Sequence, residues 1–390
     1  MVNCHLQPSL QIVSSERTSS PTTVTAPPPE GQHQRVRTTL NHPSRSNNLL
    51  TPNGIRFILS PANNPSAILN SPHYQPYKEN LYHPVPCRTF SGYWIIQSSF
   101  TTPSPPKDSD LTIYFLHGGG YFCSQSSTYL LFLLRIAESL IAAGSSVSIF
   151  SLEYRLAPEH PFPAQLEDAM AAYAYLLEEM QISPSKLVVM GDSAGGHLAL
   201  SLLNNMHQPM PGLVSPTTEG RRWPKPWGLT LLSPWMSIHH YSSPSFTRNA
   251  DNDVLSVSFL RQTACRFLGS TEIPEAVKSS PQLEFLSPDP PADWDAILPA
   301  RVWVTAGDKE IFFDDVAGWV QKLKGALKQG RVTFEAGVGK VHDWQWLETM
   351  DEGLKRDYLR QQAGIGRTEG FESIDGVAMA IRVAAVPMPD

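Results

Sequence analysis

Three short runs in this 390-residue chain bring together residue types that attack and stabilise a carbonyl group. The first is Gly191-Asp192-Ser193-Ala194-Gly195, set between the apolar run KLVVM and the helical pattern AGGHLALSLLNNM. A serine at such a strand-to-helix turn stands exposed above a sheet, and the turn accepts only small residues two places before and after it. It also sits at a helix N-terminus, where unpaired N–H groups and the positive end of the dipole favour developing negative charge. The second run is His117-Gly118-Gly119-Gly120, directly after LTIYFL. Glycines let backbone N–H groups turn outward and approach a reacting carbonyl. The N–H groups of Gly118 and Gly119, with that of Ala194, are therefore expected to form an oxyanion hole. The third is His342 in GKVHDWQW, after the last strand-like run VTFEAG, and it is the candidate general base. His117 and His197 belong to the first two runs and read as structural, while most other histidines have Pro or Asn neighbours and read as solvated. Phosphate cradling is the rival use of a glycine-rich loop, but there is no GxxxxGK[ST], and HGGGYF is not GxGxxG.

The elements that must position these residues are legible as a rhythm. Runs rich in β-formers (FSGYWIIQSS, LTIYFLHGG, VSIFSLEY, KLVVMGD, GLTLLSP, RVWVTAG, VTFEAG) alternate with segments of helical period at 129–143, 165–180, 194–206 and 314–328. Parallel strands need crossover helices, so the expected class is α/β with a doubly wound, mostly parallel sheet. KLVVMG has almost no alternation, as befits a central strand buried on both faces. A Pro-, Asp- and Ser-rich insertion at about 234–300 contains one helical piece, DVLSVSFLRQTACRFLG, and is expected to be a helical cap or lid over the C-terminal edge of the sheet. The expected organisation is a disordered arm over 1–52, a cap or connecting segment over 53–89, a catalytic domain over 90–362 and a tail over 363–390 without evident role.

Composition narrows the partners. A net charge of −6 and the lack of any dense Lys/Arg cluster argue against nucleic acid. The four cysteines Cys4, Cys87, Cys123 and Cys265 lie far apart without metal-ligand spacing, so reduced thiols are expected. The start lacks a basic region followed by an unbroken apolar one, and cytoplasm is the default expectation. The most apolar stretch, YLLFLLRIAESLIAAG, contains Arg135 and Glu138 and falls short of the ~18 clean apolar residues of a membrane span. It reads as a packed helix, with no membrane partner.

HGGGYF, the block EYRLAPEHPFPAQLED (153–168) and GDSAGGHLAL together resemble the hormone-sensitive-lipase-like branch of the α/β-hydrolase superfamily, over roughly residues 90–350. The resemblance implies an α/β-hydrolase fold and a serine carboxylic-ester hydrolase without cofactor or metal, acting on small soluble esters of short to medium acyl chain. It also implies the chain order serine, acid, histidine, with the acid in the loop TAGDKEIFFDDV. Matching the D-x-L-x-D pattern usual there gives Glu310 and Asp314. The spacing to His342 favours Glu310 as well, with Asp308 as the alternative. After the histidine the family usually reads HGF, and this chain reads His342-Asp343-Trp344, a form similar to fungal members. That leaves the pocket open: Trp344, Trp346, Tyr121, Phe122 and Trp235 are each candidates for its wall or for ordinary core. Two other uses of such a site stay in view. One is a secondary-metabolite pathway enzyme performing lactone hydrolysis, deacetylation, cyclisation or acyl transfer. The other is a non-catalytic receptor, as in the plant gibberellin receptors, which resemble this branch but lack the histidine. A base near the free-histidine value of about 6.5 would make activity fall below that pH.

Overall fold

The computed structural model describes residues 64–361 and 371–385, apart from 86, 88, 212, 214–222 and 287–291. The expected arm over 1–52 lies outside the described residues. Eight strands form one sheet: β1 (Leu81–Pro84), β2 (Ser91–Ile96), β3 (Leu111–Leu116), β4 (Val147–Glu153), β5 (Leu187–Asp192), β6 (Gly228–Leu232), β7 (Arg301–Gly307) and β8 (Val332–Gly337). Their spatial order is β1-β2-β4-β3-β5-β6-β7-β8. The first two pairings, β1 with β2 and β2 with β4, are antiparallel, and the rest are parallel. The chain passes from β3 outward to β4 and then returns to place β5 on the other side of β3. At such a switch point the crossovers leave in opposite directions and open a crevice at the strand C-termini, where ligands bind in open α/β sheets. Both glycine-bearing runs lie there: His117 follows β3, and Ser193 follows β5.

Successive residues of a strand point to opposite faces, and the core divides accordingly. Tyr114 and Leu116 join one apolar cluster, with Val189, Leu231 and Val304, beneath helices α2 (Ala164–Ala174), α3 (Ser193–His207) and α5 (Phe313–Ala326). Ile113 and Phe115 join the other, with Val188, Met190 and Trp303, beneath helix α1 (Leu130–Ala142) and the C-terminal helix α7 (Glu372–Ala385). The expected helix over 165–180 is α2 continued by a π-helical turn, Tyr175–Glu179.

Two pieces depart from the sequence expectation. The segment assigned to a separate connection supplies β1, whose Leu81 pairs with Ile96 and His83 with Trp94, so the sheet begins before residue 90. Pro84 and Pro86 hid it, although proline is tolerated on an edge strand. The tail without evident role supplies α7, and its Ile374, Val377 and Ile381, with Phe371 just before it, enter the second core. Arg135, which interrupts the apolar run of α1, is fully buried and donates from Nη2 to Asp375 Oδ1 at 2.6 Å. Glu138, equally buried, accepts from Tyr358 and lies 2.8 Å from His73 Nε2. The two charges in α1 therefore join it to α7, to helix α6 (Glu352–Arg360), which carries Tyr358, and to the segment around His73, and pairing is what makes their burial tolerable.

The insertion after β6 contains helix α4 (Val257–Leu268), capped by Ser256 Oγ accepting from Phe259 N and ended by Gly269 at φ 64°. It packs on the loop after β3: Phe267 stacks on Tyr121 at 4.0 Å, and Phe259 meets Phe122 edge-on at 5.8 Å.

Candidate active site

Ser193 takes φ 49°, a left-handed conformation rare for a residue with a Cβ. The surroundings impose it. A Cβ on Gly195 would lie 1.9 Å from Leu116 O, and one on Gly191 would lie 2.4 Å from Gly195 O. The strand thus turns into α3 with no room for a side chain two residues before or two residues after the serine. Trp235 N donates to Ser193 O at 3.0 Å, tying the turn to the chain after β6.

The loop after β3 corrects one expectation. Gly118 N–H donates to Asp192 Oδ1 at 2.8 Å, so it is not free to receive an oxyanion. Asp192 accepts a second bond from Tyr129 OH at 2.6 Å, so the residue before the serine anchors the glycine loop. Gly119 at φ 105° and Gly120 at φ 60° follow, and among the described residues their N–H groups donate to no partner. Ala194 N–H opens the first turn of α3, where no carbonyl four residues back lies within the helix. The free donors are therefore Gly119, Gly120 and Ala194. His117 and His197 are structural, as expected. His117 stacks on Tyr154 at 4.1 Å, and Tyr154 OH donates to His117 O at 2.6 Å. His197 Nδ1 lies 2.6 Å from Tyr121 OH, and burial pushes its ring down to about 4.

The two candidate acids occupy different surroundings. Glu310 is fully buried, with Oε2 4.0 Å from His342 Nδ1. The same oxygen accepts from Ser233 Oγ at 2.6 Å and Gly307 N at 3.0 Å. Asp308 is half-buried and spends Oδ1 on Gly339 N at 2.8 Å, in the loop after β8. The structure brings Glu310, not Asp308, to His342. On the far side of the ring, Nε2 lies 3.1 Å from Asp343 Oδ2. Ser233, at φ 43°, also accepts from Asp343 N at 3.2 Å and so ties the Glu310 carboxylate to the backbone of the histidine loop. Sequence reasoning missed Ser233; the Ser-Pro after β6 was its only signal.

A family model described as alpha/beta hydrolase fold matches residues 113–346. The chain belongs to the α/β-hydrolase family. An acetyl-hydrolase of Streptomyces hygroscopicus is 30% identical over 67% of this chain and 79% of its own length. An esterase of Acinetobacter venetianus is 28% identical over 60% of this chain and 67% of its own. The solved structure of an esterase from the bacterial hormone-sensitive lipase family superposes with a TM-score of 0.54 at 29% identity, covering 73% of this chain and 84% of its own. None of these relatives is fungal.

The block that carries the family resemblance holds the glycine loop in place. Arg155 Nε bonds Asp168 Oδ1 at 2.9 Å, and Gln165 Nε2 donates to the carbonyls of Arg155 and His160. The stiffened block then reaches outward: Ala157 N donates to Tyr121 O at 2.9 Å, and Phe162 N donates to Phe267 O of α4 at 2.7 Å. Of the aromatic candidates, Tyr121 and Trp235 are core, 0% and 1% exposed. Trp346 stacks on Tyr129 at 5.1 Å, and the Trp344 ring fills the space a side chain at Gly337 would need. Phe312, which sequence reasoning passed over, meets His342 edge-on at 5.2 Å.

Electrostatics shift the expected pH dependence. Burial works against charge on the His342 ring, but Asp343 first, then Glu310 and Asp253, outweigh it and push the imidazole up to about 10. Burial, opposed by His342, pushes the Glu310 carboxyl up to about 8. Both shifts belong to one buried cluster, in which the charge of the carboxylates holds the proton on the ring and the charged ring in turn favours their ionisation. If reaction requires neutral imidazole, kcat/KM falls as pH drops through the raised value, so it should still be climbing above pH 7.5. Replacing Asp343 by Asn removes the largest raising influence and should move that limb to lower pH. The check is a background-corrected kcat/KM profile for both proteins; coincident limbs would remove Asp343 from the account.

Proposed function

We propose that this protein is a serine carboxylic-ester hydrolase acting through an acyl-enzyme on small, soluble esters. Ser193 Oγ attacks the ester carbonyl while His342 Nε2 takes its proton. That nitrogen lies 3.1 Å from Asp343 Oδ2, so transfer requires this contact to open. Glu310, on the Nδ1 side, orients the ring and stabilises the imidazolium without itself accepting the proton. The oxyanion is received by the N–H groups of Gly119, Gly120 and Ala194. His342 then protonates the leaving alcohol, and a water activated by the same ring releases the acid.

What carries this reading is Ser193 itself, held left-handed at the switch point between the glycine loop and α3 with His342 and a buried glutamate in the neighbouring loops. The name of one relative, an acetyl-hydrolase, favours short acyl groups. Two described cysteines, Cys123 and Cys265, are free thiols, which suits a reducing, cytoplasmic setting. Among the described residues no helix is long and apolar enough to cross a membrane. The test is hydrolysis of p-nitrophenyl acetate, butyrate and octanoate. The expected kcat/KM is highest on acetate or butyrate and falls at octanoate. A maximum at octanoate would overturn the short-acyl reading, and inertness toward all three would overturn the esterase.

A further inference from the structure

The insertion between β6 and β7 does more than pack on the glycine loop. Ser245, Asn249 and Asp253 lie four residues apart, are 0%, 1% and 3% exposed, and all point their polar atoms at backbone of the acid and histidine loops. Ser245 Oγ donates to Ile311 O at 2.7 Å and accepts from Asp314 N at 3.1 Å. Asn249 Nδ2 donates to Glu310 O at 2.7 Å and Asp308 O at 3.0 Å. Asp253 divides its carboxylate: Oδ2 accepts from Ile311 N at 2.7 Å, while Oδ1 accepts from His342 N at 3.1 Å and from its neighbour Val254 N at 2.7 Å. The rungs are held in register by backbone bonds from Asn249 N to Ser245 O and from Asp253 N to Asn249 O.

We propose that Asn249 and Asp253 are positioning residues for the reaction, which set the separation of Glu310 and His342 by fastening the loops after β7 and β8 to one turn of the insertion. The proposal rests on the reading of His342 as the base. The loops carrying Glu310 and His342 leave different strands, and a single carboxylate takes one N–H from each, so Asp253 fixes one loop relative to the other. Its charge adds a second role. The groups facing the His342 ring are Asp343 from its own loop, Glu310 from the loop after β7, Asp253 from the insertion and Asp192 from the end of β5. Asp253 in turn faces His342, and Glu310 feels its charge. Burial raises the Asp253 carboxyl, and His342 with three backbone N–H groups opposes that rise. An ionised Asp253 therefore favours the imidazolium that forms as Ser193 is deprotonated. Asparagine at 253 keeps the shape and one acceptor but removes the charge.

The test compares wild type, Asp253→Asn, Asn249→Ala and His342→Ala on p-nitrophenyl butyrate across pH. Mispositioning of reacting groups lowers rate by roughly 10- to 100-fold, so both Asp253→Asn and Asn249→Ala should lose kcat by that order with KM nearly unchanged. Only Asp253→Asn should also move the acidic limb of kcat/KM to lower pH, a displacement that a purely structural role would not produce. If Asp253→Asn does not fold, Asn249→Ala decides by the same kcat and KM split. Wild-type kcat in Asn249→Ala, or an unmoved limb in a folded Asp253→Asn, overturns the proposal while His342→Ala is inactive. Equal turnover by wild type and His342→Ala overturns the reading of the base instead, and the positioning role with it.

Discussion

His342→Ala should lower kcat by roughly five to six orders of magnitude, the scale at which loss of the base alone disables a serine nucleophile. The size follows from the site. Oδ2 of Asp343 already occupies the Nε2 side of the ring and Glu310 the Nδ1 side, while burial excludes bulk water as a substitute base. What survives should be the contribution of the N–H groups at Gly119, Gly120 and Ala194, which polarise a bound carbonyl whether or not the serine is activated. KM should change little, since the ring does its work on the proton in flight. Measurement of kcat and KM on p-nitrophenyl butyrate for the purified variant checks this; a loss below about tenfold would mean that another group takes the proton.

Glu310→Gln should cost about four orders of magnitude, as expected when the group that orients and charges the imidazole is replaced by a neutral amide. Glutamine would still fit between Ser233 and Gly307, so the loss reports charge and ring tautomer rather than collapse of the loop. Asp308→Asn should leave kcat/KM within about threefold of wild type, because the exchange keeps the oxygen that accepts from Gly339 N and leaves any surface ion pairing worth little. Steady-state kinetics of the two variants side by side separate the assignments, and the reverse pattern would move the role to Asp308.

Much of this site was legible in the sequence because its chemistry sits at element ends with strong local signatures. Ser193 and the glycine loop each follow a run of β-formers, and the sheet's switch point is where two such runs must meet. The choice between Glu310 and Asp308 was only half legible. Both lie in one short loop, and what separates them is a burial that depends on the chain after β6, which sends Ser233 to Glu310. The glycine loop went wrong by one residue for the same kind of reason. Gly118 is chemically as good a donor as Gly119, but the Asp192 carboxylate, delivered by a strand far along the chain, claims its N–H first. Asp253 and Asn249 were hidden because RNADND in a polar insertion reads as a solvated turn, and only tertiary placement shows those side chains pointing inward. Strand β1 and helix α7 were missed through weak local signals, an edge strand crowded by prolines and an apolar stripe whose partner is α1.

The central claim is that Ser193 carries the acyl group. Its most direct test exposes wild type and Ser193→Ala to a p-nitrophenyl phosphonate, then records intact mass, the labelled peptide and residual turnover of p-nitrophenyl butyrate. The account predicts a single adduct on the wild-type peptide containing Ser193, with turnover lost in step, and neither adduct nor turnover in Ser193→Ala. An adduct on another residue, or an alanine variant that still hydrolyses the ester at the wild-type rate, would contradict it.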